Sequence, residues 1–192
     1  MRRKSAETRQ QIIDAAYTHF YQSGFINTGV DVIAEAAGIT KRTLYQYFSC
    51  KDELIGVVLE HQHQLAVERI RQWADDISGE PEQMVIMLFE KFARWAGEAG
   101  WQGSGFTRAA VEFADLPGHP ARTAARRQKR AVEQILSAKF DSRGLADSRT
   151  LARQILILVE GCQSLVLIHD SADYIAAARH AALALVAHQL KR

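Results

Sequence analysis

The sequence has 192 residues, of which 47% are hydrophobic and 24% charged, and its formal net charge is only +2. A chain of this length and apolar content can bury a core without covalent staples, and Cys50 and Cys162 lack the spacing of a disulfide framework or a zinc site. The basic N-terminal residues are not followed by an apolar stretch, which argues against a secretory signal. We therefore expect a cytoplasmic protein, and any nucleic-acid binding must come from a local cluster of cations.

Apolar residues recur at helical spacing in nearly every segment and strand patterns are almost absent, so the sequence predicts an all-α fold. Ser5 is placed to cap a first helix, which ends at Gly24. Thr28 has the capping-box spacing with Asp31 and predicts the start of a second helix, which ends at Gly38. The inward stripe predicted for the first helix consists of Ile12, Ile13, Ala16, Tyr17 and Phe20.

Seven further helices are predicted after this pair. Thr40 caps a short one that extends to about Phe48, and a long amphipathic helix follows over about 51–78. The long helix spans on the order of 40 Å, so we expect it to reach from an N-terminal unit into a second region. One of the remaining helices follows the break at 78–81 and carries Val85, Leu88, Phe89 and Phe92. The others are predicted at about 106–113, 120–140, 148–169 and 172–190, with a glycine-rich loop over 97–105. Polar residues interrupt the apolar segment at 151–170, which predicts a buried helix and no membrane partner.

The second and third predicted helices form a helix-turn-helix pattern. A tight turn at Gly38 requires a small residue where the two helices face each other, and Ala34 is that residue. With Leu44 and Phe48 turned inward, the start of the third helix presents a polar set outward. That set consists of Lys41, Arg42, Thr43 and Gln46.

These side chains suit the major groove of DNA. Lys or Arg donates to guanine, Gln pairs with adenine, and the methyl group of Thr contacts thymine. Lys51 begins the next helix, where its charge and the free backbone N–H groups attract a phosphate. Two adjacent cations are also common on an ordinary solvated face, but the glycine turn and Ala34 favour a DNA-reading helix.

Four short motifs resemble the N-terminal signature of the tetracycline-repressor (TetR) family. They are Gly24-Phe25-x-x-Thr28, Ile33-Ala34-x-Ala36-Ala37-Gly38-Ile39, Thr43-Leu44-Tyr45-x-Tyr47-Phe48 and Lys51-Asp52-Glu53-Leu54. The motifs cover about the first quarter of the chain, and the rest is similar to the family only in its helical layout. The resemblance implies a three-helix DNA-binding domain at 1–50, joined through the long helix to a helical effector-binding and dimerisation domain at 51–192.

The resemblance further implies a homodimeric regulator of transcription, in the first place a repressor that a small-molecule effector releases from a palindromic operator in double-stranded DNA. Carried over by position, Lys41, Arg42 and Thr43 contact bases. The residues implied at the phosphate backbone are Tyr45, Tyr47 and Lys51, with Thr28 at a helix start near a phosphate. Thr40 and Gln46 complete the predicted DNA-binding surface.

Large aromatic residues follow one another through the segments that frame the glycine-rich loop. Such a stripe is typical of a core, but it also lines apolar pockets. Arg108 and Glu112 lie four residues apart and either orient a polar ligand group or pair with each other. The predicted effector-binding residues are Phe89, Phe92, Trp95, Phe106, Arg108 and Phe113, and Trp101 belongs to the same aromatic series.

The last two predicted helices carry more apolar surface than one core stripe needs, so we expect a homodimer through residues about 148–190. The basic run Arg126, Arg127, Lys129 and Arg130 is expected to be a solvated face. Cys50 either replaces a capping Ser, a role Ser49 could also fill, or is a redox-sensitive thiol at the DNA edge.

No phosphate-binding loop, metalloprotease motif or nucleophile elbow is present, so neither an enzyme nor a cofactor is expected. The remaining alternative is a ligand-binding or DNA-architectural protein of the same fold that does not regulate an operator.

Overall fold

The computed structural model describes residues 2–190, and this part of the chain contains nine α-helices and no strand. The predicted all-α class is confirmed, and the predicted helices are present with small differences at their ends. The helices are α1 Arg2–Ser23, α2 Val30–Ala36, α3 Lys41–Tyr47, α4 Lys51–Asp76, α5 Pro81–Ala96, α6 Gly105–Glu112, α7 Pro120–Asp141, α8 Ser148–His169 and α9 Asp173–Gln189.

Two predicted helix starts are wrong. The first helix begins before Ser5, so this residue lies inside α1 and does not cap it. The N-cap of α2 is Gly29, which makes no side-chain cap. The hydroxyl of Thr28 donates instead to the carbonyl oxygens of His19 (3.1 Å) and Gly24 (2.6 Å), so it secures the end of α1 and leaves the start of α2 without a capping box.

The described residues divide into two compact units. Unit 1 consists of residues 2–65 and 104–128, and unit 2 consists of residues 66–103 and 129–190. The division falls within α4 and within α7, and it assigns α6 to the same unit as α1, α2 and α3. The functional boundary predicted between residues 50 and 51 stays a prediction, because these units are defined by packing and not by function.

Unit 1 has a core built from one face of each of its helices. Ile12 and Phe20 of α1 are fully buried, as are Leu44 of α3 and Leu54 and Val58 of α4. These positions repeat at helical spacing within α1 and α4, which explains why the segments form amphipathic helices that pack together. The buried apolar residues that α6 and the first part of α7 contribute are Phe106, Ala109, Ala121, Ala124 and Ala125.

Unit 2 has its own core, in which α9 packs against both α5 and α8. Its fully buried residues include Val85 and Phe89 of α5, Leu151 and Ile155 of α8, and Val186 of α9. The three tryptophans of the sequence, Trp73, Trp95 and Trp101, all lie in this unit.

A small cavity in unit 2 lies between α4, α5 and α7. Its volume is about 20 Å³, which is room for about one water molecule. Its lining is apolar except for Lys139, and the cavity as it stands is too small for an effector. The other lining residues are Ile70, Trp73, Ala74, Ile77, Met84, Leu88, Leu136 and Phe140.

Helix α8 is long and apolar enough to cross a membrane by length and composition, although the core helix of a soluble protein passes the same test. One face of α8 is buried in unit 2, as the sequence predicts, through Leu151, Ile155 and Cys162. Its other face is exposed and includes Ile157 and Ile168. The helix therefore carries apolar residues on both its buried and its exposed face.

Candidate nucleic-acid interface and effector region

The turn between α2 and α3 has the geometry that a helix-turn-helix requires. Gly38 has φ +66°, and its N–H donates to the carbonyl of Glu35 (2.9 Å) while the N–H of Ile39 donates to that of Ala34 (2.9 Å). This pair of bonds is a Schellman motif, which ends α2 at a residue with a left-handed backbone. Ala34 is buried, in agreement with the small residue predicted at this crossing.

Helix α3 is fixed at both ends and presents one polar face. The hydroxyl of Thr40 accepts a hydrogen bond from the N–H of Thr43 (3.1 Å), which confirms the predicted cap. Leu44 and Phe48 are buried, and the guanidinium of Arg9 lies over the Phe48 ring at 5.1 Å. The residues of the predicted DNA surface that are exposed are Thr40, Lys41, Arg42, Tyr45 and Gln46, whereas Thr43 and Tyr47 are half-buried.

The two cations of α3 differ in their surroundings. The ammonium of Lys41 lies 3.0 Å from a carboxylate oxygen of Asp31 in α2, and this hydrogen bond raises the pKa of the exposed lysine. Arg42 is exposed and has no hydrogen-bond or ion-pair partner within residues 2–190. Arg42 is therefore free to reach a base, whereas Lys41 must first leave Asp31.

Lys51 and Thr28, both predicted near phosphates, also have internal partners. The ammonium of Lys51 donates to the carbonyl of Ile26 (2.8 Å), and partial burial lowers the pKa of this lysine. Two of its three N–H groups remain for other acceptors, so a phosphate contact stays a prediction. Thr28 is buried and its hydroxyl is already bonded to backbone, so a contact of that hydroxyl with phosphate gains no support from the structure.

The start of α4 is capped by two neighbouring residues. The thiol sulfur of Cys50 accepts a weak hydrogen bond from the N–H of Glu53 (3.4 Å). The carboxylate of Glu53 accepts from both the N–H and the hydroxyl of Ser49 (2.6 Å each), and these bonds lower the pKa of Glu53. Cys50 thus fills the place of a capping residue, while its redox reactivity stays an open prediction.

Helix α6 holds the turn between α1 and α2 through an ion pair. Arg108 Nε lies 2.9 Å from Glu112 Oε1, Arg108 Nη1 donates to the carbonyl of Tyr21 (2.8 Å), and Glu112 Oε2 accepts from the N–H of Ile26 (2.8 Å). Gly24 has φ +88°, and a Cβ at this position would lie 2.9 Å from both Arg108 Nη2 and Glu112 Oε1. The ion pair therefore occupies the space that any side chain at this turn would need.

The predicted effector-binding residues are divided between the two units. Phe89, Phe92 and Trp95 belong to unit 2, whereas the other three belong to unit 1. The sequence left two roles open for Arg108, which were orienting a polar ligand group and pairing with Glu112. The structure shows the pairing, together with a hydrogen bond from Arg108 to the carbonyl of Tyr21. Phe106 and Phe113 are buried in unit 1, and the effector contacts predicted for these two residues and for Arg108 stay predictions.

Unit 2 contains a polar cluster where the sequence predicted a solvated face. The ammonium of Lys129 lies 2.5 Å from Glu160 Oε1, and both side chains are about three-quarters covered, at 26% exposure each. Burial lowers the pKa of Lys129, an effect that the neighbouring carboxylate partly offsets. Gln163 is buried and donates through Nε2 to the same oxygen of Glu160 (3.2 Å). The expectation of a solvated face is wrong for Lys129.

A sequence signal for this cluster existed. Lys129 falls at helical spacing with Val132 and Leu136, which are buried, so the phase of α7 turns it inward. Glu160 and Gln163 lie three residues apart on α8 and so share a face of that helix. A charged residue on an apolar stripe is a reason to look for a buried partner.

Comparison with known proteins supports this description. The model of the tetR family of bacterial regulatory proteins matches residues 12–58, which include α2, the turn and α3. The transcriptional regulator TtgR of Pseudomonas putida is 41% identical over 61 residues, which are 32% of this chain and 29% of that protein. An HTH-type transcriptional regulator of Staphylococcus aureus is 31% identical over 88 residues, which are 46% of this chain and 48% of that protein. The alignments thus span less than half the length of either relative.

Solved structures extend the likeness beyond the N-terminal helices. A tetR-type transcriptional regulator from Streptomyces avermitilis is 26% identical, with 91% of this chain and 97% of that one covered and a TM-score of 0.76. A TetR-family regulator from Streptomyces coelicolor has a TM-score of 0.84 over 96% of both chains at 22% identity, which shows the same fold. Residues 12–58 therefore match the tetR family of bacterial regulatory proteins, and the chain as a whole has the fold of solved tetR-type regulators.

Proposed function

We propose that the protein is a homodimeric transcriptional repressor that binds operator DNA through α3 and is released by a small-molecule effector bound in unit 2. The observation that carries the proposal is the exposed polar face of α3 on a rigidly capped helix, with Arg42 unpaired at its start. Arg is the side chain best suited to the two acceptors of guanine in the major groove. The proposal places the protein in the cytoplasm and assigns it no enzymatic activity.

The division of roles along α3 follows from the contacts of each side chain. Arg42 and Gln46 are proposed to read bases. Lys41 is proposed to contact DNA as well, after a phosphate or a base has replaced Asp31 as the partner of its ammonium. Tyr45 and Lys51 are proposed to contact the phosphate backbone, which positions the helix without reading sequence.

The first experiment is selection of bound sequences from a random pool of DNA duplexes. A palindromic winner with steep salt dependence is expected, because a two-fold dimer reads two half-sites and releases counterions from each. Binding without sequence preference would support the alternative, a DNA-architectural or ligand-binding protein that does not regulate an operator.

A variant at Arg42 tests the proposed base contact. Arg42→Ala should lower discrimination at one position of each half-site by about 1–3 kcal/mol, the usual contribution of a bidentate contact with a base. The matched control is Arg126→Ala, which removes an exposed arginine of α7. If Arg42→Ala weakens all sequences by the same factor, Arg42 contacts phosphate and not a base.

The exposed faces of α8 and α9 support the proposed dimer. Ile157, Leu165 and Ile168 of α8 are 64%, 38% and 70% exposed and lie at helical spacing on one face, with Gly161 between them. The exposed stripe of α9 is made of small residues and two histidines, which permit close approach of a partner helix. It consists of Ala177, His180, Ala181, Ala184 and His188.

Another face of α9 belongs to the core of unit 2. Ile175, Ala178, Ala182 and Val186 are buried within the unit. The proposed contact is therefore the opposite face of α9 together with the exposed face of α8. It would cover apolar surface that is otherwise open to solvent.

The oligomeric state can be tested with one charge. Ile168→Glu should convert a dimer into a monomer at micromolar concentration, measured by sedimentation equilibrium, because an unpaired carboxylate would be buried in the interface. Leu116→Glu is the control, since Leu116 is 54% exposed in unit 1 and lies outside the proposed contact. A monomeric mass for the unmodified chain would contradict the proposal.

A further inference from the structure

Ile26, in the turn between α1 and α2, is held on both sides by side chains from other helices. Its N–H donates to Glu112 Oε2 of α6 (2.8 Å), and its carbonyl oxygen accepts from the ammonium of Lys51 at the start of α4 (2.8 Å). All three residues belong to unit 1. One residue of the backbone therefore links the carboxylate of Glu112 to the ammonium of Lys51.

Glu112 is itself fixed in position. Its other carboxylate oxygen, Oε1, accepts from Arg108 Nε (2.9 Å), and Arg108 also donates to the carbonyl of Tyr21 (2.8 Å). The side chain of Glu112 is only 19% exposed. A carboxylate that is mostly covered and bonded through both oxygens has little freedom to leave the turn, so α6 sets the position of Ile26.

Lys51 depends on this arrangement because a lysine side chain is flexible. It carries a point charge on a four-carbon stem, and ordering such a side chain on binding costs free energy. The bond to Ile26 orders the stem before DNA arrives, and it leaves two N–H groups for a phosphate. Burial lowers the pKa of Lys51, and the carboxylates of Asp52 and Glu112 partly offset that effect, which agrees with an ammonium partly withdrawn from water near Glu112.

We propose that Glu112 is a positioning residue for DNA binding, which holds Ile26 and thereby keeps the ammonium of Lys51 where its remaining N–H groups reach a phosphate. The inference rests on the proposed function for the phosphate contact. Glu112 does not touch DNA in this scheme and has no part in reading the base sequence.

The charge of Glu112 has to be separated from its hydrogen bond in any test. A carboxylate near the DNA edge repels phosphates, so its removal favours DNA binding even where the lysine is misplaced. Glu112→Gln and Glu112→Ala have the same net charge, but only glutamine keeps an oxygen that can accept from the N–H of Ile26. The difference between these two variants therefore isolates the hydrogen bond.

The test measures the affinity of the full-length variants for labelled duplexes by fluorescence anisotropy. We expect Glu112→Ala to bind about fivefold more weakly than Glu112→Gln, because ordering one lysine in each half of a dimer costs about that factor in total. The factor should be the same for the selected operator and for an unrelated duplex, because a phosphate contact carries no sequence information. In a Lys51→Ala background, the two variants should bind equally.

Asp115 provides the matched control, since it is exposed and lies three residues after Glu112. Asp115→Asn and Asp115→Ala should bind DNA equally. Equal affinity of the two Glu112 variants in the presence of Lys51 would overturn the proposal. A difference that persists in the Lys51→Ala background would also overturn it, because Glu112 would then support the whole domain and not Lys51.

A second variant covers the case in which Glu112→Ala does not fold, as judged by circular dichroism. Glu112→Asp keeps the charge but shortens the side chain by one carbon, which withdraws the carboxylate from Ile26. It is compared with the unmodified protein, and the same fivefold loss is expected, again only while Lys51 is present. Unchanged affinity would refute the positioning role.

The position of Lys51 is also measured without DNA, by NMR of its ammonium group. The ammonium protons should exchange with water faster in Glu112→Ala than in Glu112→Gln, because the bond to Ile26 slows this exchange. Equal exchange in a protein that binds its operator would refute this inference and leave the proposed function intact. Faster exchange in a protein that binds no duplex would refute the proposed function and confirm that Glu112 positions Lys51.

Discussion

The turn held by Arg108 and Glu112 provides a matched pair of substitutions that isolates one contact. Gly24 and Gly38 both have a positive φ, +88° and +66°, so Ala at either position is strained by about 1–2 kcal/mol. The two sites differ in what the added methyl group meets. At Gly38 nothing lies within 4 Å, whereas at Gly24 the Cβ would lie 2.9 Å from both members of the ion pair.

Both charged side chains end in flexible groups, so the methyl group can displace them, but each is tied to the backbone of the turn. Displacement weakens the bond from Arg108 to the carbonyl of Tyr21 and the bond from the N–H of Ile26 to Glu112. A hydrogen bond to a charged group contributes about 1.5–3 kcal/mol. Gly24→Ala should therefore lower the free energy of unfolding by about 2.5–5 kcal/mol, against about 1–2 kcal/mol for Gly38→Ala.

The assay is urea unfolding followed by circular dichroism, together with hydrogen exchange of the Ile26 amide. The Ile26 N–H should exchange faster in Gly24→Ala and be unchanged in Gly38→Ala, because only the first substitution disturbs its acceptor. In a background carrying Arg108→Ala and Glu112→Ala, the two glycine substitutions should cost the same. Equal costs in the original background would show that the ion pair does not constrain this turn, and the reasoning would fail.

Two further predictions concern other side chains. Asp31→Asn should raise affinity for all duplexes and steepen the slope of log affinity against log salt by about one, because it frees the ammonium of Lys41 for DNA. Glu35→Gln removes a charge from the same helix without a lysine partner, and an equal gain from this control would mean that only the net charge matters. Burial raises the pKa of Cys162 to about 11, so this thiol should resist an aromatic disulfide reagent at about pH 8 while exposed Cys50 reacts. Cys50→Ser should then show no fast labelling, and one fast equivalent in that variant would refute the assignment.

The sequence was informative wherever local pattern decides structure. Helical spacing located all nine helices of the described residues, and the turn at Gly38 with Ala34 identified the crossing of α2 and α3. Thr40 acts as the predicted cap because its hydroxyl needs only a neighbour three residues away. The predicted capping box failed at Thr28, because its hydroxyl donates to the carbonyl groups of His19 and Gly24 at the end of α1 and does not cap α2.

The contacts that the sequence missed join residues far apart along the chain. The pairing of Arg108 with Glu112 follows from their spacing, but their attachment to the turn at Ile26 depends on where α6 packs. The pairing of Lys41 with Asp31 depends in the same way on the crossing of two helices. Periodicity places a residue on a face of its helix but does not show which residue of another helix lies opposite.

All the tryptophans lie in one of the two units, so tryptophan fluorescence reports on that unit alone. Trp73, Trp95 and Trp101 all lie in unit 2, while Tyr45 and Tyr47 lie in unit 1 on α3. Excitation at a wavelength that only indole absorbs therefore reports on unit 2 without any attached dye, and the tyrosines of α3 contribute no signal at that wavelength. A change in this emission when operator DNA is added would show that DNA binding alters the surroundings of the tryptophans in unit 2.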